Sequence, residues 1–311
     1  MLSAVRYDET KKKDWDEFVR NSKMPMFMFE RGYMDYHSDR FKDVSLMIYD
    51  GNKLVAIFPA TDHGEEVRSH GGLTYGGFIT NRHMKQSVMF ECLATVCSAY
   101  RELGKSSLLY KVIPYFYHHV PAEEDRYALF KVGAQLTKVE PSTVIDLANQ
   151  CKISNGRRGH IVHARKDGIV VEESHDFDTF IAMENEVLSS RHDTKAVHTA
   201  EEMKLLQSRF PNNIKLYGGF FQGRMIAGMV VYIYDTVVHS QYMAATDEAR
   251  RMGALDLVVS EVIEKYKPAK KYFDFGISSE DGGKVLNEGL ISQKEDFGGR
   301  TVVYEGWRLW L

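Results

Sequence analysis

HSQYMAAT (His239 to Thr246), DEARRMG (Asp247 to Gly253) and ALDLVVS (Ala254 to Ser260) follow one another without interruption. The first block has the pattern of a strand, the second of a short basic turn, the third of an apolar helix beginning at Ala254. Strand, basic-glycine turn and helix start together form a physical recipe for holding a pyrophosphate. The first N–H groups of a helix have no partner inside it, and the helix dipole favours negative charge at that end. Gly253 lets the main chain approach phosphates with no side chain in the way. Arg250 and Arg251 add positive charge.

Around this stretch the chain alternates strand-like and helix-like segments. Ile214 to Phe221 and Met225 to Ile233 form a hairpin across Gln222, Gly223 and Arg224, and Tyr272 to Gly276 is a short apolar strand. In the first half, Val44 to Ile57 reads as a hairpin turning at Asp50, Gly51 and Asn52. A helix is expected from about Met84 to Leu103 and a strand from Leu108 to Ile113. The shared order predicts an α/β fold with mixed, mostly antiparallel sheets, built as two tandem units over residues 1–150 and 151–311 by duplication. Asn155 to Lys166 is expected to link them. The Gly71 to Gly77 segment, GGLTYGG, contains no basic residue and reads as a tight structural loop.

Composition limits the function. The 311 residues carry a formal charge of -3, which lacks the basic excess of a general nucleic-acid binder. Cys92, Cys97 and Cys151 make no disulfide framework and read as reduced thiols. The first residues lack the apolar core of a signal peptide, and no apolar run approaches the roughly 20 residues needed to span a bilayer. A cytoplasmic protein with no nucleic-acid or membrane partner is expected. The twelve histidines include no HExxH and no zinc-type Cys/His spacing, so no metal is expected. No GxSxG setting is present either, which favours direct attack over an acyl-enzyme.

The run Arg250, Arg251, Met252, Gly253, Ala254, Leu255 resembles the Q/R-x-x-G-x-G/A signature of the GNAT superfamily, with Leu255 where glycine or alanine is usual. Downstream, Asn287 to Gly298 is similar to the family's N-x-x-A-x-x-x-Y-x-x-x-G-F helix. Lys294 occupies the tyrosine position, and the closing pair reads Phe297, Gly298. This variant resembles the FemAB-related branch, which is built from two GNAT-like units. Arg209 to Tyr217 and Phe273 to Ser278 look most like sugar N-acyltransferases acting on dTDP-linked amino sugars.

That resemblance implies an acyltransferase taking acyl-CoA as co-substrate and a nucleotide-linked amino sugar as acceptor, for surface polysaccharides. It implies cofactor contacts at Met243, Ala244, Ala245, Arg250, Arg251, Gly253, Ala254 and Asn287. The main-chain N–H groups of Met243 to Ala245 would stabilise the oxyanion. An amine must lose a proton before attack, and His239 and Asp274 are the candidate bases. Each has an ordinary alternative, as a packed strand histidine and as a buried structural carboxylate. Lys294 would replace tyrosine in protonating the thiolate. Acceptor contacts are expected from Arg191, His192, Lys195 and His198, or from the cluster Arg157, Arg158, His160, His163, Arg165 and Lys166, with Tyr75 lining an acceptor cleft. The first unit is expected to bind no acyl-CoA. A tRNA-dependent FemAB-type transferase and a non-catalytic binding protein on a GNAT fold are the alternatives. A homo-oligomer is compatible with the sequence.

Overall fold

The computed structural model describes residues 2–192 and 196–311, apart from the side chains of residues 190–192. The chain divides into two compact units. Unit 1 is Met1–Pro141 with Ser279–Val285 and Val303–Leu311, and unit 2 is Ser142–Ser278 with Leu286–Val302. This differs from a division at residue 150 because the chain's last strand pairs with a strand of the first half.

Unit 1 opens with β1 (Leu2–Arg6), α1 (Lys12–Arg20), α2 (Arg31–Met34), β2 (Leu46–Asp50) and β3 (Lys53–Phe58). It continues through β4 (Thr61–His63), β5 (Glu66–Arg68), β6 (Ile79–Thr80), α3 (Gln86–Glu102), β7 (Ser107–Lys111) and α4 (Glu124–Lys131). β1, β2, β3 and β6 make an antiparallel sheet. The β2–β3 hairpin turns at Gly51, whose φ of +56° lies in the left-handed region. Val96 and Tyr100 of α3 are buried with Ile48 and Phe58 in this unit's core.

β8 (Gln135–Asp146) runs through Pro141, and unit 2 follows with α5 (Asn155–Lys166), β9 (Val170–Ser174), α6 (Phe177–His192) and α7 (Ala200–Arg209). Next come β10 (Ile214–Phe221), β11 (Arg224–Ile233), β12 (Val237–Ala245), α8 (Asp247–Met252), α9 (Ala254–Tyr266) and β13 (Tyr272–Ile277). The short β14 (Ser279–Glu280) and β15 (Val285–Leu286) precede α10 (Glu288–Glu295) and β16 (Arg300–Trp310). Residues Gly306 to Trp310 of β16 pair with β7 in unit 1. The segment expected to be a link is instead α5. Ser154 caps it by accepting from the Arg157 amide, Ile161 and Ala164 are buried, and the helix packs on α9.

In unit 2 the neighbours β9, β10, β11 and β12 pair antiparallel, and β12 pairs in parallel with β13. The β12–β13 ladder contains only Val237–Tyr272, Val238–Phe273 and His239–Asp274, so the two strands part beyond that point. Both are irregular there. Val231 pairs with Ser240 and Val230 with Tyr242, which leaves Gln241 as the extra residue of a bulge. In β13, Gly276 takes φ +74°.

Cross-strand partners share a face of the sheet. Ala227–Ala245, Met229–Met243 and Ile233–Val238 face the core under α9. Gly228–Ala244, Val230–Tyr242 and Tyr232–His239 face the other way. α6 covers that second face: a Cβ on Gly228 would come within 2.7 Å of the Phe180 ring. Among the described residues, no helix is long and apolar enough to cross a membrane.

Candidate active site

The parting of β12 from β13 leaves main-chain groups without a sheet partner. The Thr246 N–H donates to the Ile226 carbonyl at 2.9 Å, which fixes the phase of the antiparallel ladder. In that phase the amide of Ala244 also points to β11, whereas those of Met243 and Ala245 point away, towards the space β13 has left. The expected role of Ala244 as a donor is therefore corrected, since its N–H belongs to the sheet.

β12 ends at Thr246, whose hydroxyl accepts from the Ala249 amide at 3.1 Å and so starts α8. The basic turn read from the sequence is this short helix. Gly253 closes α8 and opens α9 in one residue, with φ +71°. The first bond inside α9 runs from the Leu257 amide to the Gly253 carbonyl at 3.1 Å. The N–H groups of Ala254, Leu255 and Asp256 thus have no acceptor within the helix. Gly253 is bare for a second reason besides its φ: a Cβ would lie 2.8 Å from the His160 carbonyl oxygen of α5. Its small size lets α5 close on the α8–α9 junction.

A groove of about 310 Å³ runs from this junction to the open edge of β12. It is lined by Arg157 and His160 of α5, Met243 and Ala245 of β12, Ala249 and Arg250 of α8, and Leu290 and Gln293 of α10. Gly253, Leu255 and Asp256 form its end, and Val187 of α6 reaches it from the opposite side of the sheet. Asp256 brings negative charge to the helix start, but Arg157 Nη1 and His160 Nδ1 each meet its carboxylate at 2.7 Å. Arg250 Nη1 bonds Asp247 at 2.9 Å. The sequence reading had grouped Arg157 and His160 with acceptor contacts, yet they stand where the α8–α9 junction is. Arg251, on the outer side of α8, is exposed and outside the groove.

His239 and Asp274 meet on the α6 face of the sheet. His239 Nδ1 lies 2.8 Å from Asp274 Oδ2. The other carboxylate oxygen accepts from the Ser142 hydroxyl at 2.8 Å and the Gly276 amide at 2.9 Å. A carboxylate only accepts, so Nδ1 is the donor of this bond and Nε2 is turned away from Asp274. Both residues are buried and neither lines the groove. His198 is also buried, with Nδ1 bonded to the Tyr242 hydroxyl.

Lys294 does not line the groove. It lies under the bend in β13, where Nζ donates to the carbonyls of Gly276 at 2.9 Å and Ile277 at 2.6 Å. Burial brings its amine down to about 8. Asn287 caps α10 by accepting from the Leu290 amide at 3.0 Å. Tyr75 is buried within unit 1 against Tyr117 and Tyr304, with ring centroids 5.0 and 5.6 Å away, so its ring is core and not a cleft wall. Lys195 and the side chains of Arg191 and His192 lie outside the described residues.

One residue escaped the sequence reading. Glu184 continues the buried stripe of α6 formed by Phe177, Phe180 and Ile181. It is 7% exposed, its Oε2 has no hydrogen-bond partner among the described residues, and burial pushes its carboxyl up to about 7. A carboxylate in an apolar helical stripe was the signal that could have found it. Among the described residues, no group of three or more His, Cys, Asp or Glu side chains could hold a metal ion.

Residues 155–281 match the family model for the acetyltransferase (GNAT) domain. No curated protein matches the chain in sequence. Among solved structures, FemX is similar with a TM-score of 0.69 at 9% identity, over 97% of this chain and 96% of FemX. L-PGS from Bacillus licheniformis has a TM-score of 0.65 at 13% identity, over 98% of this chain and 92% of that one. A tandem GNAT protein from the clavulanic acid biosynthesis pathway has a TM-score of 0.58 at 11% identity, over 100% and 98%. At these identities the likeness is one of fold, a mixed α/β architecture.

Proposed function

Starting from a tandem GNAT fold whose residues 155–281 match an acetyltransferase domain, we propose that this acyltransferase uses acyl-CoA as its donor. It moves an acetyl or hydroxybutyryl-type group to the amine of a dTDP-linked amino sugar, in the cytoplasm, for surface polysaccharide. The observation that carries the donor half is the groove joining the start of α9 to the unpaired amides of Met243 and Ala245. A diphosphate at the α8–α9 junction meets the free N–H groups of Ala254 and Leu255 and the guanidinium of Arg250. A thioester carbonyl beside β12 meets two fixed N–H donors that strengthen as its oxygen becomes an oxyanion.

The acceptor nitrogen attacks that carbonyl directly. His239 Nε2, oriented by Asp274, takes a proton from nitrogen after the C–N bond forms. Lys294 is the proton source for the departing thiolate, and unit 1, without an Arg-x-x-Gly turn before α3, serves as scaffold. The dTDP-sugar acceptor rests on the sequence resemblance alone.

A second reading, an aminoacyl-tRNA-dependent transferase of the FemAB type, is favoured by the whole-length likeness to FemX. Calorimetry with acetyl-CoA, followed by thiol release across a panel of dTDP-linked amino sugars and other primary amines, tests the first reading. Transfer from charged tRNA, with no acetyl-CoA binding, would establish the second instead. Asp274→Asn and His239→Ala should lower turnover more than donor affinity; equal losses in both would remove the pair from the chemistry.

A further inference from the structure

We propose that Glu184 is the base that receives the first proton from a cationic acceptor amine, an inference that rests on the acyl-CoA reading above. α6 is laid on the sheet by Phe177, Phe180 and Ile181, and Phe180 fixes its height by standing over Gly228 of β11. Glu184 follows Phe180 by four residues, about 6 Å along the helix on the same face. Val187, one turn further, lines the groove beside Met243 and Ala245. Glu184 thus lies on α6 between Phe180 and Val187, on the helix face turned to the sheet face that carries His239 and Asp274.

A buried carboxylate oxygen with no partner among the described residues is costly. Among the described residues, the titratable groups on the elements packed against α6 are engaged elsewhere or do not bond Glu184 Oε2. From β12 they are His239, turned to Asp274, and Tyr242, bonded to His198. From β11 it is Tyr232. From α7, Lys204 pairs with Asp178 of α6 itself and Glu202 accepts from the Thr199 amide. None of these bonds Glu184 Oε2. An alkylammonium entering from this face supplies both the missing donor and the missing charge. Burial holds the carboxyl near 7, where an acid and its base are both well populated at neutral pH.

The protons and electrons balance. An N–H proton of the ammonium passes to the Glu184 carboxylate, and the freed nitrogen pair forms the C–N bond as the carbonyl π pair moves to oxygen. The second nitrogen proton goes to His239 Nε2. Collapse breaks the C–S bond, its pair leaves on sulfur, and the thiolate is protonated. The products are amide, thiol and one proton for the solvent.

The test uses the full chain with acetyl-CoA and the amine panel, comparing wild type, Glu184→Gln and Glu184→Asp. Glu184→Gln should lower turnover at pH 7 by about a hundredfold or more. It should also replace the wild-type rise in kcat/KM near pH 7 with one that follows the acceptor's own pKa. Acetyl-CoA affinity should be unchanged, and Glu184→Asp should retain the pH 7 limb at reduced rate. A loss that is equal at every pH, or no loss, overturns the inference while leaving the donor reading intact. A wild type that neither binds acetyl-CoA nor acylates any amine overturns the donor reading, and this inference with it. Should Glu184→Gln not fold, by circular dichroism, loss of the limb in Glu184→Asp counts against the proposal.

Discussion

Gly253→Ala carries two costs that a second substitution can separate. Gly253 and Gly223 both sit at positive φ, +71° and +77°. Left-handed backbone costs a residue with a Cβ roughly 1–2 kcal/mol, so each alanine variant should lose that amount. A Cβ on Gly223 meets nothing within 4 Å, so its loss should stop there. A Cβ on Gly253 meets the His160 carbonyl oxygen at 2.8 Å, its Cβ at 2.9 Å and its carbonyl carbon at 3.0 Å. Backbone cannot give way as a side-chain tip can, so α5 must retreat by about half an ångström, an overpacking cost of about 1–3 kcal/mol. Urea unfolding followed by circular dichroism should therefore show Gly253→Ala less stable than Gly223→Ala by that second amount. Because α5 carries Arg157 and His160 into the groove, calorimetry should show acetyl-CoA binding weakened several-fold in Gly253→Ala and unchanged in Gly223→Ala. Equal stability losses with equal affinities would refute the claim that Gly253 sets the distance between α5 and the α9 start.

Arg250→Ala should raise the KM for acyl-CoA by about tenfold, the worth of one charge-assisted hydrogen bond, and an unchanged KM would remove Arg250 from phosphate binding. Lys294→Met leaves the Gly276 and Ile277 carbonyls without their donor. It should cost about 2–4 kcal/mol in urea unfolding and slow thiol release; wild-type release would make Lys294 purely structural. Glu184 keeps its proton longer folded than unfolded, since its carboxyl rises from 4.5 to about 7. Its contribution is therefore greatest below about pH 4.5 and falls by about 3 kcal/mol as pH rises to 7. The wild-type stability curve should decline over that range relative to Glu184→Gln, and parallel curves would contradict the assignment.

The alternation of strands and helices was legible because each element carries local punctuation. Gly51 and Gly223 mark the hairpins, and Gly253 marks the junction that organises the groove. Which side chain faces that groove was not legible. Facing depends on the register of β12 against β11 and on the bulge at Gln241, and neither has a local signature. Ala244 was thus grouped with Met243 and Ala245, although the ladder turns its amide inward. Polar composition disguised α5 as a link because only Ile161 and Ala164 are buried in it. α7 was missed even though Thr199 and Glu202 form a complete capping box ahead of it. Glu184 was legible in principle, as the carboxylate in the buried stripe with Phe177, Phe180 and Ile181.

The spare residue in β12 has a consequence for how this chain can vary. Gln241 turns β12 aside just where its partner bends at Gly276, so the sheet gives up cohesion to gain a vacancy. A chain shortened by that single residue would be free to zip the two strands together. Such a protein should melt higher and no longer take up acetyl-CoA. Side chains at Met243 and Ala245 can meanwhile change size and tune the space, because the donors they flank are main-chain. Length, more than residue identity, is what this segment has to keep.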